Sequence, residues 1–97
     1  MKTQDILNTL GAFERVSNIT STNGNDVPNQ FMIFFENGTV FQSYKSTIAI
    51  KTQGKTYLTQ AHDYSVTTSK YRNLFLNDDS KGVKEGLKGG SYILLED

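Results

Sequence analysis

Ninety-seven residues are enough for one small domain, and residues 1–97 are read as a single unit. Ten Lys and Arg balance ten Asp and Glu, which excludes an indiscriminate polyanion binder and an acidic mimic of DNA along the whole chain. With no Cys and one His there is no disulfide framework, no zinc knuckle, no thiol nucleophile and no site built on two imidazoles.

Residues 3–16 read as the first helix. Ile6, Leu7, Leu10 and Phe13 recur on one face, Thr3 is the N-cap candidate, and Gly11 is the point where the helix ends or bends. Residues 17–30 read as a loop or edge segment, with Ser17 to Thr22 a short edge strand, Asn23-Gly24-Asn25-Asp26 a turn and Pro28 its close. Gln30 to Glu36 and Thr39 to Tyr44 flank Asn37-Gly38, a strong short hairpin signal. A two-residue loop there pairs Phe35 with Val40 and Phe34 with Phe41. Met32 joins the face of Phe34, and Ile33 the face of Phe35. With both faces apolar, the first of these strands is placed centrally, covered on each side.

A second hairpin joins Thr47–Thr52 to Lys55–Gln60 through Gln53-Gly54, with Ile50 opposite Tyr57 and Ala49 opposite Leu58. Ile48, Ile50 and Tyr57 are assigned one face. Only Lys45-Ser46 separates the two hairpins, so a continuous meander follows. A helix then starts near Val66 with Thr67 as its N-cap and Tyr71, Leu74 and Phe75 as its buried face. A short third helix covers about residues 81–88, capped by Asp79 or Ser80 and closed at Gly89. Ser91 to Glu96 reads as a buried strand returning to the sheet.

The fold class is therefore α+β. A mostly antiparallel sheet of four to six strands, built from two hairpins, is covered by two or three helices. The core set is Leu7, Leu10, Phe31, Ile33, Phe35, Ile48, Ile50, Leu58, Tyr71, Leu74, Phe75, Ile93 and Leu95. Exposed edges of such a sheet invite pairing with a second copy, a homodimer about a two-fold axis. The longest dense apolar run, Phe31 to Phe35, falls far short of the roughly 20 residues of a membrane span, and no membrane partner is expected. The N-terminus lacks a signal-peptide core, and the absence of Cys suits a reducing compartment, so the expected location is the cytoplasm.

Zero net charge hides an asymmetry. Residues 37–77 hold five basic residues (Lys45, Lys51, Lys55, Lys70, Arg72) against one acidic residue, Asp63, a net +4 set against −4 elsewhere. Tyr44, Tyr57, Tyr64 and Tyr71 lie in the same segment. Cations interleaved with aromatics suit a single-strand or nucleotide platform; solvated strand edges and core tyrosines explain the same composition. Thr67, Thr68, Ser69 and Lys70 sit at a helix start, where free N–H groups favour a phosphate or carboxylate, although capping alone accounts for a Thr there. Gln42 to Ser46 is a polar rim in which Tyr44 can anchor a partner or simply cover its own core. His62 and Asp63 are adjacent and so point apart in a strand; no nucleophile elbow or metal spacing supports catalysis, and no cofactor is expected.

The stretches Phe41-Gln42-Ser43-Tyr44-Lys45-Ser46-Thr47-Ile48-Ala49 and Asp63 to Leu76, with the closing Gly90-Ser91-Tyr92-Ile93-Leu94, resemble a family of small uncharacterised proteins of bacteriophages and prophages, mostly of Gram-positive bacteria. The resemblance covers roughly residues 31–95. It implies an accessory protein of a virus or mobile element acting inside a bacterial host cell, and it supplies no site residues. Joined to the small size and the missing catalytic constellation, it gives the leading expectation: a non-enzymatic protein that binds and modulates a bacterial host or defence protein. The alternative is a nucleic-acid or nucleotide binder using residues 37–77, with Tyr44, Lys45, Lys51, Lys55, Thr67, Thr68, Ser69, Lys70, Tyr71 and Arg72 as the candidate contacts.

Overall fold

Turn-punctuated runs of Phe, Val, Ile and Thr extend from Phe13 to Leu58. In the computed structural model, which covers residues 1–97, that whole stretch forms one antiparallel meander. Its strands are β1 (Phe13–Thr20), β2 (Asp26–Phe35), β3 (Gly38–Ser43), β4 (Ser46–Thr52) and β5 (Lys55–Leu58). A short helix α1 (Thr3–Leu7) precedes it. Helices α2 (Val66–Leu76) and α3 (Ser80–Gly89) follow, and β6 (Ile93–Leu94) returns parallel to β5. The sheet has six strands in the order β1-β2-β3-β4-β5-β6, so the α+β class and the hairpin meander hold.

The first helix is far shorter than the reading of residues 3–16. It stops at Leu7, and its N-cap is Lys2, because the Thr3 hydroxyl bonds Asp97 instead. The cause is a junction. Leu10 is buried, Gly11 takes φ +76°, and the carbonyls of Leu10 and Ala12 accept the backbone N–H groups of Asn37 and Glu36. Those bonds hold the chain against the β2–β3 turn, and β1 begins where the helix was expected to continue. Phe13, assigned to the helix's buried face, is 58% exposed on that strand. Residues 17–30 are likewise more regular than a loop. They supply the end of β1 and half of β2, with only Ser21 to Asn25 between. Pro28 lies inside β2 rather than closing the turn, next to Asn29 at φ +64° and opposite a break in the β1 register.

The first hairpin turns on Glu36-Asn37, one step before the expected Asn37-Gly38. Phe35 pairs with Gly38, Phe34 with Thr39, and Met32 with Phe41. Gly38 is needed for close approach, not for positive φ: a Cβ there would collide with the Lys51 carbonyl oxygen and lie 2.7 Å from Leu10 Cδ2. The pairing shifts by two places, so every side chain keeps its predicted face. The second hairpin matches its expected register, with Gln53 and Gly54 both at positive φ.

Two cores result. On one face Phe41, Ala49 and Leu58 pack under Phe75 and Leu76 of α2 and Val83 of α3. On the other, Val40, Ile50 and Tyr57 pack with Ile6, Leu10 and Leu95. Ile48 does not join Ile50 and Tyr57. The β3–β4 register skips it between Phe41 and Gln42, and the bulge places it in the helix-side core.

The C-terminal half is held by long-range contacts. Gly82 and Gly86, one turn apart, give α3 a smooth flank: a Cβ at Gly82 would overlap the Asp78 carboxylate, and one at Gly86 would lie 2.5 Å from the Tyr92 ring. The Tyr92 hydroxyl donates to Asp78 Oδ2 at 2.6 Å, Asp79 caps α3 at the Gly82 N–H, and Gly90, not Gly89, takes the left-handed closing position. The expected final strand shrinks to two paired residues, of which Leu94 is exposed, while Leu95 is fully buried. The chain ends meet: the Met1 ammonium lies 2.9 Å from Glu96, and Thr3 donates twice to Asp97. No helix is long and apolar enough to cross a membrane.

Candidate functional site

The start of α2 is fixed by Ser65, not by Thr67. Ser65 Oγ accepts the Thr68 N–H at 3.0 Å and lies 3.0 Å from the Thr68 hydroxyl, which is 3.2 Å from Ser43 Oγ of β3. Thr68 is fully buried in this contact and cannot face a ligand, whereas Thr67 is exposed in the first turn. The side chain chosen as a cap therefore stays free, and the one chosen as a donor becomes a stitch between helix and sheet.

Arg72 is also buried, at 3% exposure. Its guanidinium bonds His62 Nδ1 at 2.9 Å, the His62 carbonyl at 3.2 Å, Asn73 Oδ1 at 2.9 and 3.1 Å, and Ser80 Oγ at 3.3 Å. Five N–H groups thus meet neutral acceptors. His62 Nδ1 must accept, which places the ring proton on Nε2. Burial lowers the His62 pKa below 6.5, the Asp63 charge opposes that, and Arg72 adds to it. Asp78 is held below the ordinary carboxylate range by the Tyr92 hydroxyl and the Asp79 N–H, and Tyr92 is raised to about 12 by burial and by Asp78.

The five basic residues do not share a face. Lys51 donates to the Phe75 carbonyl at 2.6 Å and lies over the Phe75 ring, and burial lowers its pKa. It serves the C-terminal end of α2. Lys45 and Lys55 flank opposite ends of β4, whose seven residues span roughly 20 Å. Arg72 is enclosed. Of the five, only Lys70 lines the groove along α2.

That groove, about 900 Å³, runs along the outward face of α2. Val66, Ser69, Lys70, Asn73, Leu74 and Asn77 form its helical wall, with Tyr71 set deeper. The β1–β2 turn contributes Ser21 and Thr22, the loops flanking α2 contribute Asp63, Ser65 and Asp78, and the start of α3 contributes Ser80. Val66 is 87% exposed and Leu74 44%, although Leu74 was assigned to the helix's buried face. The reason is that Arg72 and Phe75, with Thr68 and Leu76, occupy the inward side. Val66 and Leu74 lie eight positions apart, about 12 Å along one side of the helix. Two carboxylates and one ammonium line the groove, so it is not basic.

A second cleft, about 470 Å³, lies at the β3–β4 turn, lined by Asn29, Tyr44, Lys45, Ser46 and Tyr64. Tyr44 sits at φ +55° in the two-residue turn, 53% exposed, and Tyr64 is 68% exposed. The structure thus brings Tyr44 to Lys45, and Ser69 to Lys70 and Tyr71, in separate depressions on either side of the Asp63-Tyr64-Ser65 segment. It leaves Lys51, Lys55, Thr67, Thr68 and Arg72 outside both. Tyr64, Val66, Leu74 and Asn73 were not among the candidate contacts; Val66 opens the first turn of α2, directly after the Ser65 cap, and stays exposed there.

A sequence profile described as a family of unknown function (DUF8033) matches residues 7–90, and the chain belongs to that family. No curated protein and no solved structure matches it.

Proposed function

We propose that this family member is a non-enzymatic binding protein whose working surface is the outward face of α2 with the adjoining Tyr44–Tyr64 cleft, and that it takes a segment of a partner protein. The observation that carries this reading is the pair Val66 and Leu74, exposed along one wall of a groove whose remaining lining is, apart from Tyr71, polar or charged. An exposed apolar pair rimmed by polar groups favours a protein contact. Asp63 and Asp78 against the single Lys70 favour a neutral or basic segment over a phosphate chain. His62, engaged by buried Arg72, is tied into the fold, which supports a binding role over acid–base chemistry. The partner's identity as a bacterial host or defence protein, met inside a bacterial cell, rests on the resemblance to phage and prophage proteins.

The nucleic-acid reading has a narrower support, the Tyr44–Lys45–Tyr64 cleft, where two exposed aromatics flank one ammonium. A photo-crosslinking residue placed at Val66 or Leu74 separates the readings. Discrete protein adducts from host lysate at these positions, absent at Lys55 and Lys88 and lost in Val66→Asp, support the protein-binding surface. Equal labelling at all four positions would overturn it. Salt-sensitive capture of single strands that depends on Tyr44 and Lys45 would favour the alternative.

A further inference from the structure

β1 is the long free edge of the sheet. It has eight residues and one hydrogen-bonded neighbour, β2, whereas the opposite edge, β6, has two. A long edge carrying exposed apolar side chains templates pairing, and any charges and bulges on it have to be matched at the seam for pairing to occur. β1 carries Phe13 at 58% and Val16 at 53% exposure. In a regular strand these two would point to opposite faces. Here Phe13 pairs with Phe35, Arg15 with Phe34 and Val16 with Ile33, so Glu14 is an extra residue. That bulge turns Phe13 and Val16 to the same face of the sheet, the face of Ile33 and Phe35. Phe13 meets Phe35 edge-on, with ring centroids 6.0 Å apart, and much of its surface stays open. Arg15 lies on the other face, over the Phe34 ring at 3.9 Å.

The order Phe13-Glu14-Arg15-Val16 is complementary to itself when reversed. We propose that the free edge of β1 binds a second copy of this chain, antiparallel about a two-fold axis normal to the sheet. Such an axis keeps like faces on one side. Phe13 of each copy then meets Val16 of the other, and Glu14 of each meets Arg15 of the other. A continuous sheet results, with an apolar strip on one face and two crossed ion pairs at the seam. Charge complementarity selects this register: pairing Glu14 with Glu14, or Arg15 with Arg15, sets like charges opposite. Zero net charge removes the long-range repulsion between copies that a charged protein would have to overcome. The surface is separate from the α2 groove, so this inference stands or falls independently of the binding function.

Sedimentation velocity over a concentration series into the millimolar range tests it, on the full chain. The wild type is expected to shift from monomer to dimer. Glu14→Arg and Arg15→Glu should each weaken the dimer by about tenfold or more. The double exchange Glu14→Arg with Arg15→Glu should restore it, because the crossed pairs re-form with signs reversed. Thermal unfolding of each variant separates loss of pairing from loss of fold, since Arg15→Glu also removes the contact with Phe34. Val16→Lys, a side chain that blunts an edge without touching either charge, should give a monomer. A wild type that stays monomeric throughout overturns the proposal. So does a dimer indifferent to the single reversals, or a folded double exchange that fails to recover dimerisation.

Discussion

Gln30 is fully buried in β2, and neither atom of its amide has a partner. Its pairing with Ser43 sets it near the hydroxyls of Ser43 and Thr68, yet the amide bonds neither. An unpaired buried polar group costs about 1–3 kcal/mol, so Gln30→Met, close in volume and without polar atoms, should raise stability by about 1–2 kcal/mol in denaturant unfolding. Arg72 is the opposite case, a buried cation with every donor engaged. Arg72→Ala strands the acceptors on His62, Asn73 and Ser80 and opens a void; a loss of about 2–4 kcal/mol is expected by the same measurement. A large loss of binding by a variant that keeps wild-type stability would contradict the structural role given to Arg72. Asp78 and Tyr92 are tested by titration. Asp78→Asn removes the carboxylate that helps hold the phenol at about 12, so ultraviolet titration should show Tyr92 ionising at lower pH.

The same residues show why parts of the structure were legible beforehand. Gln53-Gly54 announced a turn, and it formed with the expected register and with positive φ at both residues. Asn37-Gly38 carried the stronger local signal, but close approach to Lys51 and Leu10 draws Gly38 into the strand and moves the turn back one residue. Gly38→Ala is therefore expected to cost more than Gly54→Ala. The first meets backbone, whereas the second meets only the strain of φ +75° with nothing within 4 Å. Thermal midpoints of the two variants check this order. The first helix was over-extended because Ile6, Leu7, Leu10 and Phe13 keep helical spacing, while the bonds from Asn37 and Glu36 that end it come from residues far along the chain. In α2 the spacing of Tyr71, Leu74 and Phe75 suggested one buried stripe. Burying Arg72 turns that stripe and leaves Leu74 outside, which no apolar pattern signals. The Asp78–Tyr92 bond joins residues fourteen apart across α3 and shows in the sequence only as two unexplained helical glycines.

Across the molecule, charge, stability and surface are linked through His62. Its pKa is lowered in the fold, so the unfolded chain binds the proton more readily. Stability should therefore fall as pH drops below 6.5 toward the folded-state value, then level off for this group. Unfolding at stepped pH tests this: wild type should lose stability over that window, and His62→Gln should lose less. Zero net charge, which first argued against nucleic acid, is realised as dispersal. The five cations of residues 37–77 are spread among a helix end, the two ends of β4, a buried network and the groove. The surface that remains distinctive is the α2 face, bearing Val66 and Leu74 beside two carboxylates.

The most direct test of that surface is the paired variant Val66→Asp with Leu74→Asp, compared with Lys55→Asp for crosslinked capture of protein partners from host lysate. Both variants should keep the wild-type thermal midpoint within a few degrees, because the three side chains are exposed. The account predicts that the paired variant loses the adducts while Lys55→Asp retains them. Retention of the same adducts by a folded paired variant would contradict it.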